Sequence, residues 1–381
     1  MKVVYAREPF PESFSRSVFL AGPTLRAANV KSWRPEAISL LEKMGFDGVV
    51  FVPEDSQAAP SFDYMHQVEW EEKGLNLADA IVFWIPRDLD TLPGFTTNIE
   101  WGAWCDSGKV VLGAPDGAPK LAYLEHYANK YHAPIATTLQ QTLIDAIDLI
   151  GPGQNRTGGE CDVPLWIWRT RPFQKWYQAQ QTAGNQLEGA RVLWRFPADQ
   201  QSSPFCWVIE PKIFIPDEGR RKTNEVIITR PDISAVLAYH RGTSMGDTQV
   251  VLVREFRSNA ATDDGFVHEL PGGSSEIDSS AMQVAADELR EETGISFPSE
   301  RFNAHADRQC MATMLTHRCS LFSIELTEQE LNQFKAQEGK VFGENNIEQT
   351  YVEIRTVNEI LDSNDVDWTH VGMILSVLNS I

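Results

Sequence analysis

Short apolar runs alternate with amphipathic stretches over residues 17–150. The apolar runs are SVFLAG, VVFV, ADAIVFWI and KVVLGAP, and helix-like segments such as RPEAISLLEKMG and NIEWGAWCDSG lie between them. Continuous apolar strands joined by amphipathic helices are typical of a parallel sheet that is covered on both faces. The pattern predicts a doubly wound α/β domain over residues 1–150.

The composition of the chain changes twice between residues 151 and 223. Residues 151–160 read GPGQNRTGGE, a composition typical of a linker, and we place a domain boundary there. The Trp- and Arg-rich stretch that follows, up to residue 196, predicts a helix whose aromatic side chains pack between domains or subunits. A stacking surface for nucleic acid is the alternative, which the acidic surroundings disfavour. Residues 151–223 are thus interpreted as a connecting segment.

A β-rich pattern begins after Asn224. Strands are predicted at EVIITR, ISAVLAYHR, TQVVLVREF, CSLFSIEL and QTYVEIRTV, with a long helix from Ser280 between them and a last helix over residues 366–378. Strands that flank a single long helix in this way favour an α+β domain. We assign it to residues 224–381.

Composition and charge restrict the possible partners. With 381 residues, 42% apolar and 23% charged, the chain is long enough for two globular domains. A net charge of −20 argues against a nonspecific binder of nucleic acid polymers, which needs surplus Lys and Arg. Small phosphorylated ligands remain compatible with it, because a bound divalent cation reverses the local charge.

The cysteines and the hydropathy indicate a cytoplasmic protein. The five cysteines are an odd number without close pairs, which suits reduced thiols better than disulfides or a zinc site. Neither a secretory signal nor an apolar run of about 18 residues is recognisable. We therefore expect no membrane association.

The predicted long helix carries a row of carboxylates. Ser280 and Gln283 suit its start and Gly294 its end. Glu288 and Glu292 are four residues apart, so they share one face, with Glu291 beside them. Such oxygen ligands suit Mg²⁺ or Mn²⁺, and a merely solvated acidic face is the alternative.

The stretch GGSSEIDSSAMQVAADELREETGI around this helix resembles the Nudix box, G-x5-E-x7-R-E-U-x-E-E-x-G-U with U aliphatic. The matching positions are Gly273, Glu288, Leu289, Glu291, Glu292, Gly294 and Ile295. Ser279 stands in place of the first Glu and Asp287 in place of the Arg, with Glu276 or Asp278 as possible substitutes for the missing carboxylate. The resemblance implies a Nudix α/β/α sandwich and a metal site formed by Gly273, Glu288, Glu291 and Glu292.

The segments VVLVREFRS and FVHELPGGSSE look like the ADP-ribose pyrophosphatase branch of that family. The resemblance implies a substrate cleft lined by Arg254, Phe256, Arg257 and Glu269. It also implies a late-loop Glu that activates water, for which Glu348 is preferred over Glu344. The implied reaction is metal-assisted hydrolysis of a nucleoside diphosphate derivative, with Glu292 among the catalytic residues.

The N-terminal segments FLAGP, ADAIVFWIPRD and LPGFTTNIEWGAW resemble the nucleoside 2-deoxyribosyltransferase family. The resemblance implies that Glu100 attacks the anomeric carbon of a nucleoside. If Thr96 or Thr97 caps the helix, Glu100 lies in its first turn, where the helix dipole keeps a carboxylate ionised.

Further pocket residues follow from the same resemblance. Glu71 is expected to contact the nucleobase, with Asp88, Asn98 and Gly22 around the pocket. No Tyr stands in the first strand, and Pro93 occupies an expected acidic position, so cleavage of the N-glycosidic bond is better supported than transfer.

Together these patterns predict a two-domain enzyme of nucleotide metabolism. One domain would act on N-glycosidic bonds and the other on diphosphates. The alternative is that the altered Nudix domain only senses a nucleotide and regulates the N-terminal domain. We expect a homodimer or larger homo-oligomer.

Overall fold

The computed structural model describes residues 1–24, 30–55, 64–197, 204–274, 279–343 and 348–380. It divides into two compact units, Met1–Thr229 (unit 1) and Arg230–Ile381 (unit 2). Within the described ranges, no helix combines the length and the apolar character needed to cross a membrane.

Unit 1 contains a parallel and an antiparallel sheet. Its strands are β1 (Lys2–Tyr5), β2 (Ser13–Phe14), β3 (Ser17–Ala21), β4 (Val49–Val52), β5 (Ala80–Trp84), β6 (Val110–Gly113), β7 (Ile135–Ala136), β8 (Arg156–Thr157), β9 (Gln186–Phe196), β10 (Cys206–Ile215), β11 (Arg220–Lys222) and β12 (Ile227–Thr229). The parallel sheet has the order β1-β4-β3-β5-β6-β7, whereas β9, β11 and β12 all pair with β10. The short strands β2 and β8 pair with each other.

Helices cover both faces of the parallel sheet. They are α1 (Arg34–Lys43), α2 (Tyr64–Leu77), α3 (Phe95–Trp104), α4 (Ala122–Lys130), α5 (Leu139–Ile150), α6 (Leu165–Trp168) and α7 (Arg171–Thr182). Side chains alternate along each strand, so Leu20 packs with α1 and α5 on one face and Phe19 packs with α2 on the other. The predicted doubly wound N-terminal sheet is confirmed.

The segment from residue 151 to 223 is not a linker. Arg156 is fully buried, and Trp168, Phe173 and Trp207 belong to the same apolar core as Leu20. The stretch predicted as a single helix forms α6 and α7 and then strand β9, whose first residues alternate between exposed and buried. β12, which we assigned to the C-terminal domain, pairs with β10, so the observed division lies after Thr229.

Unit 2 is built on one mixed sheet. Its elements are β13 (Ile233–His240), β14 (Gln249–Phe256), β15 (Phe266–Glu269), β16 (Gly272–Gly273), α8 (Ala281–Thr293), β17 (Asn303–Ala304), β18 (Arg308–Gln309), β19 (Arg318–Glu325), α9 (Glu328–Lys335), β20 (Thr350–Thr356), α10 (Val357–Asp362) and α11 (Trp368–Leu378). β13 is parallel to β19, and β14 pairs antiparallel with β13, β15 and β20. One apolar core lies under α8 and α9 and another under α10 and α11.

Candidate functional site

The parallel sheet of unit 1 reverses its winding direction at β3. Its neighbours β4 and β5 follow it in sequence but lie on opposite sides of it. Ligands of open α/β sheets bind in the crevice at the carboxyl ends of the strands, where the order reverses. Gly22 directly follows β3 at this point with φ +150°, and a Cβ atom there would lie 2.2 Å from the carbonyl oxygen of Trp84. Only glycine fits this close approach.

A buried arginine supports the crevice. Arg34, at the start of α1, is 1% exposed. It donates hydrogen bonds to the carbonyl oxygens of Leu20 (3.0 Å) and Gly22 (2.9 Å), and to the carboxylate of Glu54 (2.5 Å). It therefore fixes the loop after β3. The sequence prediction missed Arg34 and Glu54, because an Arg at a helix start carries no motif.

Two carboxyl groups interact beside this arginine. Burial, and then the negative charge of Glu71, raise the pKa of Glu100 to about 8, while Arg34 opposes the shift. Burial also raises the pKa of Glu71, which accepts a hydrogen bond of 2.6 Å from Gln67. The two glutamates predicted as nucleophile and base contact are thus electrostatic neighbours.

The predicted cap of α3 is wrong. Gly94, in the left-handed conformation, is the N-cap, and neither Thr96 nor Thr97 caps the helix. Glu100 is the sixth residue of α3 and lies in its second turn. The expected stabilisation by the helix dipole is confined to the first turn. Burial therefore dominates, and the pKa rises instead of falling.

Asn98 and Asp88 have structural partners. Arg87, which is buried, donates to the side-chain oxygen of Asn98 and to the carbonyl oxygen of Lys120. Asp88 is exposed, and one of its oxygens accepts hydrogen bonds from the backbone and hydroxyl of Thr91 (2.8 and 2.7 Å), which lower the pKa of Asp88. Asp88 thus closes its own turn, whereas Asn98 is held by Arg87.

In unit 2, α8 begins and ends as predicted. The Ser280 hydroxyl accepts a hydrogen bond from the backbone of Gln283, and Gly294 is a left-handed C-cap. The Gln283 side chain donates instead to Asp287 (3.0 Å), so the reciprocal half of the capping box is not formed. Asp287 is therefore held on its own helix.

Two carboxylates of α8 lie against the glycines of β16. Glu292 is 7% exposed and accepts a hydrogen bond of 2.9 Å from the backbone of Gly272. A Cβ atom on Gly273 would lie 2.3 Å from a carboxylate oxygen of Glu288. Burial raises the pKa of Glu288 to about 7 and that of Glu292 well above its ordinary value, with neighbouring carboxylates adding to both shifts.

The positive charge of Arg257 acts on Glu288 and on further carboxylates nearby. It pairs with Glu255 at 2.7 Å and lies 4.0 Å from Glu269 and 3.9 Å from Glu348. Burial raises the pKa of Glu255 to about 7. We name Glu255, Glu269, Glu288, Glu292 and Glu348 the carboxylate cluster. The sequence prediction missed Glu255. It lies four residues after Val251 in β14, so both side chains lie on the face of the strand that α8 covers.

Arg254 and Phe256 do not line this cluster. They alternate with Glu255, so they lie on the other face of β14. The Arg254 guanidinium covers the rings of Phe266 (4.7 Å) and Tyr351 (5.2 Å). Of the four residues expected in one cleft, only Glu269 belongs to the carboxylate cluster and only Arg257 lies beside it; the substrate cleft itself stays a prediction.

The metal site stays a prediction. Within the described ranges, no group of three or more His, Cys, Asp or Glu side chains is arranged to hold a metal ion. Glu291 is exposed and pairs with Arg290 at 2.6 Å. The buried oxygen donors Glu288 and Glu292 nevertheless fit a hard divalent cation in their chemistry. The other candidates, Glu276, Asp278 and Glu344, lie outside the described residues.

Comparison with known proteins supports the N-terminal resemblance. A family model described as nucleoside 2-deoxyribosyltransferase like matches residues 15–118. This range contains β3 to β6, Arg34 and both glutamates of the crevice. No curated protein matches the chain. Residues 15–118 of unit 1 are thus similar to the nucleoside 2-deoxyribosyltransferase-like family.

Proposed function

We propose that unit 1 cleaves or transfers the N-glycosidic bond of a nucleoside, with Glu100 as the nucleophile. The observation that carries the proposal is the electrostatic pairing of Glu100 with Glu71 and Arg34 at the carboxyl edge of the parallel sheet. A carboxylate at a sugar pocket can form a covalent glycosyl enzyme.

Each residue then has a distinct role. The ionised Glu100 attacks the anomeric carbon, and the C–N bond breaks with its electron pair on the base. Glu71, whose pKa is raised, binds the base, and the departing base takes its proton from solvent. Water or a second base then attacks the same carbon, the bond to Glu100 breaks with its electron pair on the carboxylate, and the attacking group loses its proton to solvent. Arg34 keeps the loop at Gly22 in place.

The test is release or exchange of a base. The full chain is incubated with deoxynucleosides, NMN and NAD, and free base is measured by chromatography. Glu100→Gln should abolish release, and Glu36→Gln, at an exposed position of α1, should leave it unchanged. Peptide mass spectrometry after an acid quench should find the sugar on Glu100. Base release that persists in Glu100→Gln refutes the assignment.

A second candidate function belongs to unit 2, namely hydrolysis of an ADP-ribose-like diphosphate. The carboxylate cluster around α8 supports it. Glu288 and Glu292 would hold a divalent cation together with the Gly273 carbonyl, and Arg257 would attract the substrate phosphates. A bound Mg²⁺ supplies charge neutralisation and an activated water. The carboxylate of Glu348, which faces Arg257, would accept a proton from that water.

This second function is tested separately. Purified chain with MgCl₂ should release AMP from ADP-ribose, and Glu292→Gln should not, whereas the exposed Glu300→Gln should behave as wild type. Calorimetric titration with MgCl₂ alone gives a readout independent of activity. Tight binding of ADP-ribose without AMP would instead support a sensor that regulates unit 1.

A further inference from the structure

A cavity of about 280 Å³ lies at the amino edge of the parallel sheet in unit 1. Among its lining residues, Asn76 and Lys109 precede strands β5 and β6. Gly22 and Arg87, in contrast, follow β3 and β5 at the carboxyl edge. Because parallel strands have their amino ends together, the cavity and the crevice at Glu100 are different places.

Three tryptophans line this cavity, which lies between α3 and β9. Trp104 comes from α3, Trp166 from α6 and Trp194 from β9. Trp194 is 52% exposed, an unusual position for so large an aromatic side chain. Exposed aromatic surface at the wall of a cavity favours a ligand that stacks.

The basic side chains of the cavity are engaged with the protein. The Lys109 ammonium donates to the carbonyl oxygens of Leu75 (2.7 Å), Asn76 and Ala78 (both 2.9 Å), which end α2. The Arg195 guanidinium lies 4.7 Å from the ring centre of Trp166. This arrangement offers little to a phosphate and favours an uncharged ligand.

The cavity also offers polar groups. One oxygen of Asp162 accepts a hydrogen bond from the backbone of Ala190 (3.2 Å). The other oxygen of Asp162 accepts no hydrogen bond from the described part of the chain. A carboxylate oxygen at the cavity wall is therefore left for a hydrogen-bond donor of a ligand.

We propose that this cavity binds the ring of a nucleobase, free or as a nucleoside. The ring would stack on Trp194 and direct an N–H edge to Asp162. The volume is just below the range of about 300–1,000 Å³ of sites for drug-sized ligands, which suits a single ring system. Guanine and hypoxanthine carry an N–H group at N1 that can face a carboxylate, whereas adenine carries an acceptor there.

The experiment removes catalysis and compares matched variants. The full chain carrying Glu100→Gln is titrated with guanosine, inosine, adenosine and, as a cationic probe, choline, using calorimetry. Asp162→Asn is then added to this background. The amide oxygen of the new side chain can still accept the hydrogen bond from Ala190, but its NH₂ group is a donor and cannot accept a hydrogen bond from the ligand N–H. Trp194→Ala removes the stacking surface. Asp148→Asn and Trp368→Ala, both at exposed positions, are the controls.

The expected result is binding of guanosine and inosine that weakens about tenfold or more in each cavity variant. Asp162→Asn loses one charged hydrogen bond, and Trp194→Ala loses the stacking surface. Both controls should bind as the background protein, and thermal melting should show that all variants are folded. The proposal is overturned if no nucleoside shows binding that depends on Asp162 and Trp194, or if only choline does. Either result leaves the role of Glu100 untouched, since base release is measured on the chain without these substitutions.

Discussion

The carboxylate of Asp79 and the guanidinium of Arg156 lie 2.6 Å apart, with both side chains buried. Asp79 precedes β5 and also accepts hydrogen bonds from Ser17 (2.9 and 3.0 Å) and from the backbone of Leu165 (3.2 Å). Arg156 additionally donates to the carbonyl oxygen of Val163 (2.7 Å). The pair therefore connects the parallel sheet to the segment that follows it.

Replacing Arg156 by Met should destabilise unit 1 strongly. The substitution leaves the charge of Asp79 buried without its partner, which costs about 3–5 kcal/mol. Arg171→Met, at an exposed position, should change the free energy of unfolding by less than about 0.5 kcal/mol. Urea unfolding followed by circular dichroism measures both. Equal midpoints for the two variants would show that the buried pair contributes nothing.

Base release by unit 1 should increase with pH. The pKa of Glu100 is raised to about 8, so the nucleophilic carboxylate becomes abundant only near that pH. Below it, kcat/KM should rise about tenfold per pH unit. Glu71→Gln removes the second cause of the shift and should move the inflection to lower pH. A profile that falls between neutral and mildly alkaline pH would contradict Glu100 as a nucleophile.

The stability of unit 2 should decrease as the pH rises. Glu255 and Glu288 have pKa values of about 7 and Glu292 a still higher one, all above the ordinary value of 4.5. The folded state thus holds protons that the unfolded chain releases, so the stabilisation is complete below about pH 4.5 and is lost as the pH passes through about 7.

Calorimetric scans with and without MgCl₂ test this prediction. The melting temperature of unit 2 should be lower at about pH 8 than at about pH 5. If the carboxylate cluster binds a cation, Mg²⁺ should raise the melting temperature of unit 2, and the increase should be larger at about pH 8 than at about pH 5. Glu292→Gln should flatten the pH dependence. A melting temperature that rises with pH in this range would show that folding does not raise the pKa values of these carboxyl groups.

Alanine at Gly273 and at Gly272 should have different effects. A Cβ atom on Gly273 meets the end of the flexible Glu288 side chain, which can move, whereas one on Gly272 would lie 2.5 Å from the backbone oxygen of Ser234. Gly273→Ala should therefore weaken Mg²⁺ binding and hydrolysis with a stability change of less than about 1 kcal/mol. Gly272→Ala should cost more than about 1 kcal/mol in stability. Thermal melting and Mg²⁺ titration of both variants distinguish the two effects.

The elements that were predicted correctly are those with a strong local signal. The buried strand Ala80–Trp84 is a continuous apolar run, and α8 has both a polar cap and a terminal Gly. β1 was missed because KVVY is short, and its role as an edge strand depends on pairing with β4. Such non-local pairing cannot be recognised in a local pattern.

The same difference between local and non-local signals applies to the site residues. Glu100 and Glu292 were found through motifs, whereas Arg34 and Glu255 became visible only through burial and contacts. Glu255 stands between Arg254 and Phe256 in the segment VVLVREFRS, and the resemblance pointed only to those two neighbours. The pKa direction of Glu100 was wrong because it depends on where α3 begins, and the positive φ of Gly94 moves that start upstream.

The position of Arg156 bears on how such a domain can be inherited. The recognisable family segment, residues 15–118, contains Asp79 but neither its buried partner nor strand β1. A gene fragment that encoded this segment alone would supply a sheet without its two edge strands, β1 and β7, and with an uncompensated buried charge at Asp79. We expect recombination to move Met1–Thr229 as one inherited block, so the portion that evolves as a cohesive module is about twice as long as the portion that sequence comparison detects.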